Sequence, residues 1–264
     1  MQLDIAWEQP RENFAHVERL LDGAEVGAGD LVLLPEMFAT GFSLHTETTA
    51  DRDGATLAFL QRLAERLGCW VQGGRTVVEA GRTKADNRMS IVSPTGVLTS
   101  EYTKVHPFSF GREPERFAGG TRVETWVWDT AGDSTNPAAD PAMVCPAICY
   151  DLRFPELFRI GAVRGAEVFA LGACWPAARQ AHWRALTIAR AIENQGVVLA
   201  VNRTGDDPHL HYAGGSIAVD ATGTVLGELG PEPGVLSVAV DVGAVRQWRE
   251  TFPALQDVKL REIR

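Results

Sequence analysis

The sequence lacks long basic and long apolar runs, and each absence excludes a class of protein. Lys and Arg number 25 against 34 Asp and Glu, which gives a formal charge of −9. Because phosphate binding requires a basic surface, we expect no nucleic-acid partner. No segment approaches the ~20 apolar residues of a bilayer span, and the N-terminus lacks a charged segment followed by an apolar one. We therefore expect no membrane partner and a cytoplasmic location.

Cysteine is scarce, and glycine-rich nucleotide loops are missing. The four cysteines lie in apolar, strand-like segments without the spacing of metal ligands: Cys69, Cys145, Cys149 and Cys174. This usage predicts reduced thiols and no metal site. The glycine pairs at 73–74 and 214–215 do not have the spacing of either nucleotide-binding motif. We expect no ATP, NAD or other cofactor.

The length and the patterning predict one layered α/β domain. The chain has 264 residues, 45% of them hydrophobic, which is enough for a sizeable core. No shift in composition divides it, so we expect a single domain over residues 1–264. The segment 129–141 is rich in Pro, Gly and Asp, and we interpret it as a surface hairpin loop.

Helical and strand-like patterns alternate along the chain. We predict helices at residues 12–21, 56–67, 177–194 and 244–250, with a further helix that begins at Pro155. Predicted strands are residues 31–34, 70–72, 88–93, 97–102, 142–148, 168–172, 197–201, 216–219, 225–229 and 235–241. The turn 220–223 joins two of these strands as a hairpin.

Three reactive side chains each end a strand-like run. Cys149 follows the apolar run 142–148, and a predicted helix start lies a few residues later. Glu36 and Lys104 follow the runs 30–35 and 96–103. Because α/β sheets collect their chemistry at strand ends, we expect the three to meet. Helix amides favour a thiolate, so we expect Cys149 to be a nucleophile.

The three segments resemble the Glu-Lys-Cys signature of the nitrilase superfamily of carbon-nitrogen hydrolases. The resemblance implies that Glu36 is the general base, that Lys104 stabilises the tetrahedral intermediate and that Cys149 is the nucleophile. A second glutamate often accompanies the triad, and Glu113, four residues before Phe117, fits that pattern better than Glu115. The resemblance also implies a four-layer αββα sandwich and a homodimer. Segments 35–42 and 149–155 look most like the omega-amidase branch.

Several residues near the triad are candidates for substrate binding. Arg153 is placed to pair with a substrate carboxylate, or else is tied to Asp151 or Glu156. Trp175 is either a pocket wall or plain core, and Phe42 and Tyr150 are further wall candidates. Omega-amidase relatives often carry Asn before this Trp, and here the residue is Cys174.

The branch implies hydrolysis of the terminal amide of a 2-oxoglutaramate- or succinamate-type acid through a cysteine thioester, with release of ammonia. The triad leaves open an aliphatic amidase, a deaminated-glutathione amidase or an N-carbamoyl amino acid hydrolase.

Three hypotheses from outside this family are a Cys-His hydrolase with one of four imidazoles as base, a metal site at His209 and His211, and a scaffold without turnover. The four imidazoles are those of His106, His182, His209 and His211.

Two further expectations concern the start of the chain and the role of the triad. Family members usually open with a complete strand before the equivalent of Gln2-Leu3-Asp4, so we expect a shortened first strand here. Neither Glu36 nor Lys104 has an obvious structural partner in the sequence. We therefore expect both to act in the chemistry and not in folding.

Overall fold

The computed structural model describes residues 1–129 and 141–259. Its helices are α1 (Pro10–Leu21), α2 (Thr46–Thr49), α3 (Ala55–Leu67), α4 (Pro155–Val163), α5 (Gln180–Asn194) and α6 (Val242–Thr251). Its strands are β1 (Leu31–Leu33), β2 (Trp70–Val77), β3 (Ala85–Val92), β4 (Leu98–Thr103), β5 (Phe117–Ala118), β6 (Trp126–Trp128), β7 (Ala142–Ile148), β8 (Val168–Ala173), β9 (Val197–Asn202), β10 (Thr204–Asp206), β11 (His211–Ala213), β12 (Ile217–Val219) and β13 (Val225–Glu228). No helix in these ranges is both long and apolar enough to cross a membrane.

The strands form two large sheets and one small hairpin. The first sheet has the order β1-β2-β3-β4, with β5 beside β3. The second has the order β13-β12-β9-β8-β7-β6. Its three central strands, β7, β8 and β9, are parallel, whereas β6, β12 and β13 are antiparallel to their neighbours. The hairpin pairs β10 with β11.

The two sheets pack face to face, and helices cover their outer faces. Along β8, Val168 and Ala170 belong to a core cluster shared with the first sheet, whereas Phe169 and Leu171 pack with residues of α4 and α5. Such alternation follows from the two-residue period of a strand buried on both faces. On the other side, α1 and α3 pack on the first sheet. The predicted four-layer αββα sandwich is confirmed.

Most of the predicted elements are present. The strand 142–148 matches β7 residue for residue, and the helix 56–67 matches α3, which ends at Gly68 with a left-handed φ of 63°. The predicted helix 177–194 is divided, because a 3₁₀ turn, Ala177–Arg179, precedes α5. The predicted loop 129–141 lies almost entirely outside the described residues. Strands β5 and β6 and the β10-β11 hairpin were not predicted from the sequence.

The predicted strand 235–241 is wrong. Exposure alternates along this segment, and Leu236, Val238 and Val240 pack against the core between the sheets. Within the described residues, however, only Gly234 pairs with another strand-like segment, at Gln2. Side chains from residues 235–240 and from β1 line a cavity of about 350 Å³ between them. The segment therefore buries apolar side chains without joining a hydrogen-bonded ladder.

The first residues of the chain pair only at single positions. Gln2 bridges Gly234 and Asp4 bridges Thr204. The Met1 amino group is buried and donates a hydrogen bond to the Leu33 carbonyl at 2.8 Å. Burial lowers the pKa of this amino group to about 5.

Candidate active site

The candidate site is a cavity of about 380 Å³ with a charged end and aromatic walls. Lys104 and Cys149 line it directly, while Glu36 and Glu113 are fully buried behind them. Glu36 follows β1, Lys104 follows β4 and Cys149 follows β7. The expectation that three strand ends bring these side chains together therefore agrees with the geometry.

Cys149 is held on a strained turn. Its φ is 44°, a left-handed value that costs a non-glycine residue about 1–3 kcal/mol. The residue opens a 3₁₀ turn, Cys149–Arg153, and Pro155 then begins α4. This turn takes the chain from a buried strand directly into a helix and leaves the thiol at the wall of the cavity.

The backbone of Glu36 is packed between glycines of the two sheets. A Cβ atom on Gly74 of β2 would lie 2.8 Å from the Glu36 Cα and 2.5 Å from the Met37 nitrogen. A Cβ atom on Gly172 of β8 would lie 3.1 Å from the Glu36 nitrogen and 2.8 Å from the Leu34 oxygen. Only glycine permits this approach, so both sheets fix the position of the carboxylate.

Lys104 joins the two buried carboxylates. Its Nζ donates hydrogen bonds to Glu36 Oε1 at 2.8 Å and to Glu113 Oε2 at 2.9 Å. Burial by itself would lower the pKa of Lys104, but the charges of Glu113 and Glu36 outweigh it and raise the pKa well above the usual value. Lys104 is therefore an ammonium at neutral pH.

The structure separates the two candidate second glutamates. Glu113 accepts hydrogen bonds from Lys104 and from the Phe108 backbone N–H, and its side chain is buried. Glu115 lies at the surface, where it pairs with Arg112 at 2.8 Å. Only Glu113 reaches the buried cluster.

The surroundings of Cys149 favour the neutral thiol over the thiolate. Burial raises the pKa of the Cys149 thiol well above its usual range, and the charge of Glu36 together with its hydrogen bond raises it further. Lys104 opposes this shift without reversing it. Burial and the nearby carboxylate thus favour a thiol that keeps its proton until a base removes it.

Two buried polar residues of the site were not predicted from the sequence. The Asn87 side-chain nitrogen donates to Glu36 Oε1 at 2.7 Å and to Glu113 Oε1 at 2.9 Å. Asp151 accepts from Tyr102 Oη, from the Ile148 N–H and from both the backbone N–H and Nδ1 of His106. Asp151 therefore ties the Cys149 turn to the segment that carries Lys104. Its position two residues after Cys149 was the only signal in the sequence.

All four predicted substrate-binding residues line the cavity: Phe42, Tyr150, Arg153 and Trp175. Arg153 is not tied to Asp151 or Glu156, both of which lie in the described ranges. Its guanidinium lies 4.8 Å from the centre of the Trp175 ring, and its Nη2 lies 3.3 Å from His182 Nδ1. Cys174 donates its backbone N–H to Glu36 Oε2 at 3.0 Å. Arg179, which was not predicted from the sequence, also lines the cavity.

The histidines have other contacts. His106 bonds Asp151, and His182 contacts Arg153. His209 lies in a bend before β11, whereas His211 is the first residue of that strand and bonds Asp206, so the two do not share a strand face. Within residues 1–129 and 141–259, no imidazole forms a hydrogen bond with Cys149, and no group of three metal-ligating side chains is found.

Comparison with known proteins identifies the family. The carbon-nitrogen hydrolase model matches residues 1–250. The chain belongs to the carbon-nitrogen hydrolase family. It is 34% identical to a 2-oxoglutaramate amidase of Bacillus subtilis (strain 168), over 98% of this chain and 96% of that protein. It is 30% identical to omega-amidase YafV of Escherichia coli (strain K12), over 97% and 94% respectively.

A solved structure of a carbon-nitrogen hydrolase supports the same grouping. The CN-hydrolase superfamily protein of Xanthomonas campestris, whose active site carries an arsenic adduct, superimposes with a TM-score of 0.88 at 33% identity. The match covers 100% of this chain and 97% of that protein. The family similarity therefore extends over the whole αββα sandwich.

The raised pKa of Cys149 predicts its alkylation behaviour in this carbon-nitrogen hydrolase. Because the thiolate forms only above the raised pKa, the rate of iodoacetamide alkylation of wild-type Cys149 will keep rising with pH beyond about 9, the usual upper range for a thiol. Glu36→Gln removes a charge that raises this pKa, so at mildly alkaline pH we expect alkylation of Cys149 to be several-fold faster. Mass spectrometry of the Cys149 peptide measures both rates.

Glu115→Gln is the matched control for that experiment, because Glu115 lies at the surface away from the thiol. Its alkylation rate should equal that of the wild type. A wild-type rate that levels off near neutral pH, or slower alkylation in Glu36→Gln, would show that Cys149 is already a thiolate in the free protein.

Proposed function

We propose that this protein hydrolyses the terminal amide of a short dicarboxylic acid monoamide and releases ammonia. The observation that carries the proposal is the buried contact of Lys104 with Glu36 and Glu113, directly behind a cavity that holds the Cys149 thiol. Amide hydrolysis requires a nucleophile, a proton carrier for the poor leaving group and a positive charge for the oxyanion. Cys149, Glu36 and Lys104 supply one of each.

In the first half of the reaction, Cys149 attacks the amide carbonyl while Glu36 takes the thiol proton. The oxyanion is stabilised by the Lys104 ammonium and by the backbone N–H of Tyr150. Glu36 then passes the proton to the departing nitrogen, the C–N bond breaks, and ammonia leaves. An acyl thioester on Cys149 remains.

In the second half, water attacks the thioester. Glu36 takes a proton from the water and returns it to the sulfur as the C–S bond breaks, which releases the acid and restores the thiol. Lys104 holds the second oxyanion in the same place. Glu113 and Asn87 touch neither reacting atom, and we assign them to positioning, because both bond the groups that do.

The cavity also supports the acid-bearing substrate class. Arg153 lines it and forms no ion pair with a carboxylate within the described part of the chain. On a protein of formal charge −9, a cation without a carboxylate partner beside the nucleophile favours an anionic group on the substrate. The similar relatives named 2-oxoglutaramate amidase and omega-amidase fit this chemistry. We therefore propose 2-oxoglutaramate or succinamate as the substrate type, with Arg153 at the distal carboxylate.

The substrate class is tested with a small panel of substrates, in which succinamate and butyramide have the same length. Ammonia release is measured from succinamate, 2-oxoglutaramate, butyramide, N-carbamoyl-β-alanine and a simple nitrile. We expect kcat/KM to be highest for the two acid-bearing ω-amides. Arg153→Ala should raise KM for succinamate at least ~10-fold more than for butyramide, because only succinamate offers a carboxylate to a charge-assisted pair. Higher kcat/KM for butyramide, N-carbamoyl-β-alanine or the nitrile would indicate another specificity in the family.

The nucleophile is tested by trapping the intermediate. Wild-type protein quenched during turnover should carry an acyl adduct on the Cys149 peptide, and Cys149→Ala should lose turnover while its circular dichroism is retained. Cys174→Ala is the control, since Cys174 is the neighbouring thiol at Glu36 and its loss should leave the adduct on Cys149. An adduct on Cys69, Cys145 or Cys174 would contradict the assignment.

We also propose a homodimer formed through the outer helices. The stretch 245–255 is rich in apolar residues but is largely packed on its own chain, because Val245 and Trp248 join the core between the sheets. Exposed apolar side chains nevertheless remain on this outer layer, at Val163, Ile192 and Phe252. Light scattering at micromolar concentration should give twice the mass of the chain, and Ile192→Glu should lower it. A monomer mass for the wild type would contradict the dimer.

We propose a cytoplasmic location and a single domain over residues 1–264 as well. Four free cysteines in the described ranges favour a reducing compartment. Two of the large core clusters each contain side chains from both large sheets, which favours one domain over two.

A further inference from the structure

A second arginine without a carboxylate partner faces the cavity. Arg179 lines it together with Arg153, and its guanidinium lies 5.4 Å from the centre of the Phe108 ring. Within residues 1–129 and 141–259, neither arginine forms an ion pair with a carboxylate. The buried Arg75, by contrast, pairs with Asp51 at 3.1 Å. The cavity wall therefore contains two guanidinium groups, each of which can bind a carboxylate through two hydrogen bonds.

One indole supports both arginines. Trp175 is 2% exposed, and the Arg153 guanidinium stacks on its ring. The same indole donates its Nε1–H to the Arg179 carbonyl at 2.9 Å, and the Arg179 N–H donates to the Pro176 carbonyl at 3.0 Å. These bonds hold the 3₁₀ turn Ala177–Arg179 in place before α5. Trp175 thus supports the Arg153 side chain with its ring face and the Arg179 turn with its N–H.

The rest of the cavity wall does not neutralise this charge. Of the residues that line it, only Asp207 carries a carboxylate, and Asp207 already accepts bonds from Tyr212 Oη at 2.6 Å and from two backbone N–H groups. The remaining walls are mainly aromatic or aliphatic. Arg153 and Arg179 therefore give this part of the cavity a net positive charge, although the protein as a whole is negatively charged.

We infer that Arg179 is a second carboxylate-binding residue, which acts with Arg153 and is held in register with it by Trp175. This inference rests on the proposed amide hydrolysis and adds a specificity determinant to it. A carboxylate between two guanidinium groups accepts more charge-assisted hydrogen bonds than either one supplies alone. When a neutral substrate binds, the N–H donors of the two fixed guanidinium groups lose water and gain no acceptor. This cost discriminates against neutral amides.

The test compares Arg179→Ala, Arg179→Lys and the wild type on succinamate and butyramide, which have the same length. Arg179→Ala should raise KM for succinamate at least ~10-fold more than for butyramide, with kcat for succinamate changed less than KM. Arg179→Lys should recover part of the loss, because the charge is kept but the planar fork is not. Arg184→Ala on α5 is the matched control, because Arg184 pairs at the surface with Glu228.

Trp175→Phe provides a second arm, because it keeps an aromatic ring under Arg153 and removes the N–H that holds the Arg179 turn. We expect it to weaken succinamate binding in the wild type and to add little in Arg179→Ala, since the two changes remove one effect. Equal losses on both amides in Arg179→Ala would overturn the inference and assign Arg179 a structural role. Failure of the proposed function is distinct, because it would appear as low wild-type succinamate turnover in every comparison.

Discussion

The Lys104 ammonium between two buried carboxylates is the interaction on which the rest of the site depends. It joins segments that follow β1 and β4 to the 3₁₀ turn Glu113–Glu115, and Asn87 of β3 bonds both carboxylates as well. Removing one partner of a buried pair costs about 3–5 kcal/mol, which is a large share of a domain's stability of about 5–15 kcal/mol. The structure gives Glu36 and Lys104 a buried partner in each other. The expectation that they act in chemistry and not in folding stays a prediction, which circular dichroism of Glu36→Gln and Lys104→Met tests.

Backbone strain is concentrated around this cluster. Five non-glycine residues in the described ranges have a positive φ, and three of them adjoin or belong to the site: Met37 after Glu36, Arg112 before Glu113, and Cys149 itself. Strain of this kind persists only where the surrounding structure fixes it. Here the approach of Gly74 and Gly172 to the Glu36 backbone and the bonds of Asp151 supply that constraint. The packing of the two sheets therefore helps to fix the positions of the side chains in the site.

The sequence predicted what depends on local pattern. Apolar runs located β7 and the strand ends that bring Glu36, Lys104 and Cys149 together, and a left-handed Gly68 marked the end of α3. Asn87 and Arg179 were not predicted, because neither ends a strand-like run and no local pattern assigned either one a role. The prediction of a strand at 235–241 was wrong for a different reason. Alternation shows which side chains face a core, but it does not show whether another strand lies within hydrogen-bonding distance.

The proposed mechanism gives a physical reason for placing a carboxylate and an ammonium in one site. Two carboxylates and one ammonium give the buried cluster a formal charge of −1, so a thiolate on Cys149 would add a second uncompensated negative charge in a medium of low dielectric. In the proposed reaction, the proton stays on sulfur until a substrate carbonyl accepts the developing charge and places it on oxygen, within reach of Lys104. Nucleophile activation and oxyanion stabilisation then occur in the same step. In this proposal, the reactivity of the Cys149 thiol depends on the presence of a substrate carbonyl.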